Sequence, residues 1–310
     1  MKKLAILNYQ FAPMLEKVTE LELDFPDWEK VDPQLSFENR QQIFGKIFEE
    51  DYDNVRPIKF ELRRRHYPHV HLMRPTDDIV VFRVVNKRTT KITNQDFNKD
   101  AYDDYQNCVV VFDNRPGVQR LLVEVKQSAF ADPGTLIKLL EESINRILKH
   151  YKLEISLDPI FRVQDFVDTV NRFDEGFREV AFHLPHKNLD RVMEEMDLTL
   201  HSIRESWKTE MHIVFKAPKG GRVPIDLKDK DQMELVKLAS GIGGATINMT
   251  PTGKSRQQIH CGEGRYVMES MEESIFSELS SNNPDHSLFE EDSPLNRLKL
   301  AMKNIKNHYD

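Results

Sequence analysis

The stretch from Asn107 to Leu157 constrains the fold more than any other part of the chain, because its pattern predicts strand, turn, strand, helix and strand in succession. Two apolar runs of strand length, Asn107–Phe112 and Gln119–Val125, flank the segment Arg115–Val118. Pro and Gly occupy the two central positions of that segment, as a type II turn prefers. The pattern therefore predicts an antiparallel hairpin.

A long helix and a further strand are predicted after this hairpin. Asp132 and Pro133 suit the N-cap and the first position of a helix. Apolar residues then recur at helical spacing as far as Leu148, which predicts one buried face. From Leu153 to Leu157 apolar residues alternate with polar ones, as is typical of a strand with one covered face.

Length and pattern together predict an α+β protein with two domains and a helical tail. A chain of 310 residues is long enough for two domains that each bury a core. Residues 1–160 read as a strand-rich domain with antiparallel or mixed sheets. Residues 161–262 have the order βαβαββ, which is compatible with a ferredoxin-like layer. Residues 263–310 form the predicted helical tail.

The composition excludes several classes of protein. Two cysteines are too few for a disulfide scaffold or a cysteine-based zinc site. No run approaches the roughly 20 apolar residues needed to cross a membrane. We therefore expect a cytoplasmic protein without membrane contact. Since the net charge is −7, any affinity for DNA or RNA must come from a local basic patch.

Such a patch is predicted between Arg56 and Lys91, a segment whose net charge is +7. Histidines and a tyrosine are interleaved with the basic residues, and this combination can follow a nucleic-acid backbone. The alternative is a solvated face whose charges are balanced by acids elsewhere. The candidate nucleic-acid-binding residues are Arg63, Arg64, Arg65, Arg74, Lys87, Arg88 and Lys91.

Three histidines in the same segment suggest a metal site. His69 and His71 are two residues apart, so that both imidazoles would project from one face of a strand. His66 is the nearest candidate for the third ligand that a metal site requires. The alternative is a pair of surface histidines within the basic patch.

The predicted hairpin also resembles the site of PD-(D/E)xK nucleases, which place an acid before an acid-x-Lys triplet on the next strand. Here these residues are Asp104, Glu124 and Lys126, with Asp104 expected at the level of Glu124. The resemblance implies that Asp104 and Glu124 hold Mg²⁺ and that Lys126 helps to activate water. The alternative is an ordinary exposed strand face, in which case no cofactor is expected.

A second resemblance is carried by the run from Val111 to Gly117 and the strand and helix after it. This region resembles uncharacterised prokaryotic proteins, some of which are encoded in anti-phage defence loci. The leading hypothesis is a non-enzymatic component of a bacterial anti-phage defence system that binds nucleic acid or a partner protein. The alternatives are the Mg²⁺-dependent nuclease and a structural subunit of a multi-protein complex.

The tail has an acidic half followed by a basic helix. Tyr266–Asp292 carries a net charge of −8, and its apolar residues have helical spacing. We expect this segment to cover the basic patch or to bind a basic partner, unless it is simply a solubilising helix. The apolar stripe of the helix Pro294–Asn307 is expected to anchor the tail or a protein partner.

Overall fold

The computed structural model describes residues 1–14, 31–48, 58–73, 75–76, 78–93, 99–115, 118–184, 211–241, 245–253, 258–261, 266–281 and 293–309. Within these residues the chain combines helices with several antiparallel sheets, so the predicted α+β class is confirmed. The chain forms two compact units. The first comprises Met1–Ala5, Phe11–Leu157 and Met268–Met302, and the second comprises Ile6–Gln10, Asp158–Val267 and Lys303–Asp310.

The N-terminal half is rich in strands, as predicted. Its described strands are β1 (Lys2–Pro13), β2 (Phe60–Leu62), β3 (Arg65–Tyr67), β4 (His69–His71), β5 (Ile79–Thr93), β6 (Lys99–Asp113), β7 (Arg120–Glu124) and β8 (Leu153–Pro159). Its described helices are α1 (Pro33–Glu38), α2 (Arg40–Lys46) and α3 (Pro133–Leu148). The predicted type II turn lies partly outside the described residues.

The helix α3 begins and ends where the sequence pattern predicts. Asp132 is the N-cap residue and Pro133 opens the first turn. Leu136, Leu140 and Ile144 have no exposed surface, so the apolar face is buried throughout. Helix α3 is linked to β2 because Ser143 Oγ accepts a hydrogen bond of 3.0 Å from the backbone N–H of Glu61.

The second half contributes a smaller sheet with two helices. Its described elements are α4 (Val163–Arg172), β9 (Phe177–Leu184), β10 (Met211–Lys216), α5 (Lys230–Gly241), β11 (Thr246–Pro251) and β12 (Ile259–Cys261). The sheet has the order β10-β9-β11-β12, and each neighbouring pair is antiparallel. Both β10 and β11 are antiparallel to β9, which lies between them, so β10, α5 and β11 have the strand directions of one split βαβ unit. The described residues do not confirm the complete ferredoxin-like arrangement.

The C-terminal segment contains a strand that the sequence analysis missed. Its described elements are β13 (Val267–Met271), α6 (Glu273–Ser281) and α7 (Pro294–Tyr309). The prediction that Met268 and Met271 belong to a helix is wrong, because β13 pairs with β1. The helix predicted from Pro294 is confirmed by α7.

The large sheet has the order β13-β1-β7-β6-β5-β4, with β8 also paired to β1. Residues Leu4–Leu7 of β1 have no exposed surface, as expected of a strand surrounded by neighbours. Phe60, Phe82 and Phe112 form a stacked aromatic core on one sheet face, with ring centroids 5.2 Å apart for Phe60 and Phe82. Phe44 of α2 closes this core at 5.1 Å from Phe112.

The buried stripe of α7 gives a test of the fold with a control on the same helix. Leu298 has no exposed surface, whereas Leu300 is 59% exposed. We expect Leu298→Ala to lower the free energy of unfolding by about 2–5 kcal/mol, because it leaves a cavity. Leu300→Ala should change it by less than about 0.5 kcal/mol. Urea denaturation followed by circular dichroism measures both, and equal effects would contradict the placement of α7.

Candidate nucleic-acid interface

A short hairpin within the predicted basic patch carries two exposed arginines at its tip. β2 and β3 pair with Leu62 opposite Arg65, so that Arg63 and Arg64 form a two-residue turn. Both residues have positive φ, of 50° and 64° respectively. This is the backbone of a type I′ turn, in which Asn-Gly is the favoured sequence and any bulkier residue is strained. Among the described residues neither guanidinium has an ion-pair partner.

Behind this tip, two further arginines are held by hydrogen bonds, one to a buried amide and one to a carbonyl that the amide also binds. Asn86 is buried, and its Oδ1 accepts a hydrogen bond of 2.6 Å from Arg65. The Asn86 amide donates one of 2.6 Å to the carbonyl of Ala129, to which Arg88 also donates at 3.0 Å. The Arg65 guanidinium also lies 5.0 Å from the ring centroid of Tyr67. These contacts fix the positions of Arg65 and Arg88 relative to the sheet.

Next to the hairpin, β5 and β6 continue beyond the rest of the sheet as a two-stranded ribbon. The two strands pair along their whole length, from Ile79 opposite Asp113 to Thr93 opposite Lys99. The described pairs with β4 and β7 reach no further than Val84 and Val110. We use the name ribbon for Lys87–Thr93 paired with Lys99–Tyr105. At about 3.4 Å per residue, it projects roughly 20 Å.

The ribbon carries two aromatic rings that face solvent. Tyr102 and Tyr105 are each 55% exposed, although tyrosine normally buries most of its ring. Tyr102 and Tyr105 point to opposite faces, because they are three residues apart on one strand. The sequence analysis missed both tyrosines, since an isolated tyrosine on a polar strand gives no periodic signal.

The ribbon's basic residues are balanced by acids on the opposite strand. Lys87 Nζ lies 2.6 Å from the carboxylate of Asp103, and this contact raises the pKa of Lys87 and lowers that of Asp103. Arg88 is directly opposite Asp104 in the register. The ribbon is therefore less cationic than the sequence of β5 alone suggests.

The side chains of two predicted binding residues lie outside the described part of the structure. Arg74 lies outside the described residues. The backbone of Lys91 lies in β5 opposite Ala101, but its side chain is also outside the described part. Of the seven predicted residues, the structure brings together four, which are Arg63, Arg64, Arg65 and Arg88 in the hairpin and at the base of the ribbon.

The predicted nuclease site is not assembled. The pair Val110–Val123 sets the register of β6 and β7, so that Glu124 lies at the level of Val109. Asp104 is five positions further along β6, at about 3.4 Å per residue, and an odd separation puts it on the opposite face. The predicted alignment was wrong because it assumed a register in which Asp104 and Glu124 are level, whereas the observed register separates them by five positions along β6. One Mg²⁺ ion cannot bridge two carboxylates so placed.

The Glu124 carboxylate instead makes contacts within the fold. Its carboxylate is buried, accepts a hydrogen bond of 2.9 Å from the N–H of Val109 and lies 2.7 Å from Lys2 Nζ. It therefore ties together three strands, β1, β6 and β7. Lys126 follows the end of β7, where its carbonyl accepts the N–H groups of Ala129 and Phe130 and turns the chain towards α3.

The predicted histidine site has an aromatic environment. The rings of His69 and His71 lie 5.3 Å apart on β4, and Phe60 packs edge-on at 5.0 Å from His69. Burial, followed by the charges of His71 and His66, lowers the pKa of His69 to about 4. Within the described residues, no group of three His, Cys, Asp or Glu side chains is arranged to hold a metal ion.

Buried thiols do not add chemistry to the site. Both cysteines are reduced and buried. Burial and the nearby Glu124 carboxylate raise the pKa of the Cys108 thiol to about 12. Cys108 is therefore protonated at neutral pH and is not a nucleophile.

Two of the described acids of the tail form ion pairs with residues outside the basic patch. Glu273 lies 3.5 Å from Lys2, and Glu278 forms an ion pair with Arg297 of α7. The apolar stripe of α7 is itself buried. Four of the eight acids of the segment, Asp285, Glu290, Glu291 and Asp292, lie outside the described part, so its covering of the basic patch stays a prediction.

Comparison with known proteins adds no assignment: no protein-family model matches the chain, and no curated protein is significantly similar to it. None of the described helices is long and apolar enough to cross a membrane.

The lowered pKa of His69 predicts a specific dependence of stability on pH. Between pH 6.5 and about 4, the unfolded chain binds a proton at this residue that the folded chain excludes. His69 therefore contributes full stability above pH 6.5 and progressively less as the pH falls towards 4. We expect His69→Gln to weaken the loss of stability between pH 7 and 5, as measured by urea denaturation. The same substitution at the exposed His260, which is not among the groups that shift the pKa of His69, serves as control, and an identical pH profile for both variants would contradict this assignment.

Proposed function

We propose that the protein binds nucleic acid through the hairpin tip formed by Arg63 and Arg64. The observation that carries this proposal is the pair of arginines in left-handed backbone conformation. Strain of this kind costs on the order of 1–2 kcal/mol per residue, and it is commonly retained where a function requires it. An Asn-Gly turn would join β2 and β3 without that strain. Two arginines at this position are therefore better explained by what they bind than by the turn itself.

The chemistry of the tip suits a phosphate backbone. A guanidinium presents a planar set of donors that can bind phosphate through two hydrogen bonds. Because Arg63 and Arg64 have no ion-pair partner among the described residues, binding would not first require an internal salt bridge to break. Arg65, held by Asn86 and Tyr67, adds a third positive charge at the base of the tip. This local charge can act even though the chain as a whole is acidic.

The ribbon beside the tip is a second contact surface. Its charges are largely balanced, so its contribution would come from one of its two exposed rings, Tyr102 on one face or Tyr105 on the other, on which a base can stack. A cationic tip with adjacent exposed aromatic rings is the combination used to bind single strands with little sequence preference. A two-stranded ribbon also has the width of a major groove, so duplex DNA belongs among the ligands to be tested.

The biological setting of this binding remains a proposal from sequence resemblance. A non-enzymatic component of an anti-phage defence system is compatible with a nucleic-acid-binding hairpin that lacks an assembled metal site among the described residues. The alternative of a structural subunit predicts that no nucleic acid binds. A protein partner at the C-terminal helices would have to use surface other than the buried stripe of α7.

The variant Arg63→Asn/Arg64→Gly tests the proposal directly, because it removes both charges while installing the favoured turn. We expect it to lose affinity for fluorescein-labelled single-stranded DNA, RNA or duplex, measured by anisotropy at two salt concentrations. The slope of log K against log salt should become shallower by roughly 1.4–1.8, which corresponds to two phosphate contacts.

Two matched variants control this experiment. Arg63→Lys/Arg64→Lys keeps both charges and should keep most of the affinity. Lys138→Gln/Lys149→Gln removes two charges from the region of α3 and should leave binding unchanged. If wild-type protein binds none of the three nucleic acids at low salt, the proposed function is wrong and the structural subunit is favoured.

The same Asn-Gly variant should be more stable than the wild type. Removal of the left-handed strain at both positions is expected to raise the free energy of unfolding by roughly 1–3 kcal/mol. Urea denaturation provides the measurement. A loss of binding accompanied by a loss of stability would instead indicate that the arginines hold the hairpin together.

A further inference from the structure

The second unit contains a cavity that has no part in the proposed nucleic-acid interface. Its volume is about 610 Å³, within the range of roughly 300–1,000 Å³ found for small-molecule sites. It lies between β9 and β10, the N-terminal half of α5 and the segment 217–225. Its walls are mainly apolar and include Phe166, Val180, Phe182, Phe215, Leu235 and Val236.

The segment that closes the cavity is held at both ends by backbone hydrogen bonds to β9. The N–H of Ala217 donates to Arg178 at 2.9 Å, and that of Val223 donates to Phe177 at 2.7 Å. Between them the chain reverses at Gly220, whose φ of 82° favours glycine. Because both ends are fixed, this wall does not depend on a ligand for its position.

The side chain of Gln232 connects this wall to α5. It accepts a hydrogen bond of 3.0 Å from the N–H of Asp226 and donates one of 3.3 Å to the carbonyl of Pro224. Asp229 in turn caps the helix by accepting from the N–H groups of Asp231 and Gln232. The cavity is therefore preformed on two sides.

One aromatic ring that lines the cavity is partly exposed to solvent. Phe215 is 45% exposed although it shares a sheet face with the buried Val180, its partner in the register. It meets Phe182 edge-on, with ring centroids 6.1 Å apart. The open part of this ring is apolar surface that a ligand could cover.

The charged side chains that line the cavity indicate which charge a ligand would carry. Lys216 and Arg222 contribute positive charges and Asp231 a negative one. Lys216 Nζ lies 3.2 Å from the carboxylate of Glu179, so the positive charge of Lys216 already has an ion-pair partner. Arg222 has no ion-pair partner among the described residues, and its carbon chain lies against Gly176. Arg222 is therefore the group best able to receive an anion.

We propose that this cavity binds a small amphipathic carboxylate, with its apolar body between Phe215 and Leu235 and its carboxylate at Arg222. Asp231 would then accept a hydrogen bond from any N–H or O–H group on the ligand. The site is independent of the arginine hairpin, so either proposal can fail without the other.

Decanoate and 1-decanol are suitable probes, because they share an apolar chain and differ in charge. We expect wild-type protein to bind decanoate in calorimetric titration and to bind 1-decanol at least roughly tenfold more weakly. Arg222→Gln should weaken decanoate binding by a similar factor and leave 1-decanol binding unchanged. Lys219→Gln removes a charge from the same segment outside the lining and should have no effect.

A cavity-filling variant, Leu235→Trp, should abolish the binding of both probes while the circular dichroism spectrum remains that of the wild type. If that variant does not fold, Phe215→Ala replaces it and should weaken the binding of both probes. No binding of decanoate by folded wild-type protein at millimolar concentration would overturn the proposal. Equal affinity for both probes, unaffected by Arg222→Gln, would overturn the role of the carboxylate.

Discussion

The antiparallel register between β5 and β6 determines most of the first unit. It places Phe82 and Phe112 on the face that α2 covers, and it carries the ribbon on the same two strands. A slip of one residue would turn every apolar side chain of these strands to the opposite face. The apolar run ends at Val85, and Asn86 marks the change from buried sheet to ribbon. The Asn86 side-chain amide forms hydrogen bonds with Arg65 and with the carbonyl of Ala129 at that boundary.

Local elements and the antiparallel pairing of β6 with β7 could be predicted from the sequence, whereas the register of that pair and the pairing between distant strands could not. Helix α3 has an N-cap, an initial proline and a sustained apolar period, so its limits follow from neighbouring residues alone. The level of Asp104 relative to Glu124 depends on the register between β6 and β7, which the residues around either acid do not specify. Met268 and Met271 are spaced as in a helix, but the available edge of β1 placed them in a strand. Tertiary pairing overrode a short periodic signal.

The basic patch illustrates the same limit for a candidate site. Counting charges along the chain selected Arg63 and Arg64, which have no ion-pair partner among the described residues. It also selected Lys87, whose partner Asp103 is 16 positions away in sequence but a diagonal neighbour on the paired strand. The turn itself could not be predicted, because Arg-Arg lacks the glycine or asparagine that signals a type I′ hairpin.

Glu124 and Arg63 differ in whether the described fold uses their charge. Glu124 belongs to a triplet that resembles a catalytic motif, yet a backbone N–H and Lys2 already use its carboxylate. Removal of one partner would leave a buried charge uncompensated, which is sufficient reason for the residue to be there. Among the described residues Arg63 has no such internal contact, and its backbone conformation is unfavourable for arginine. This contrast is the reason why we propose an external ligand for Arg63 and none for Glu124.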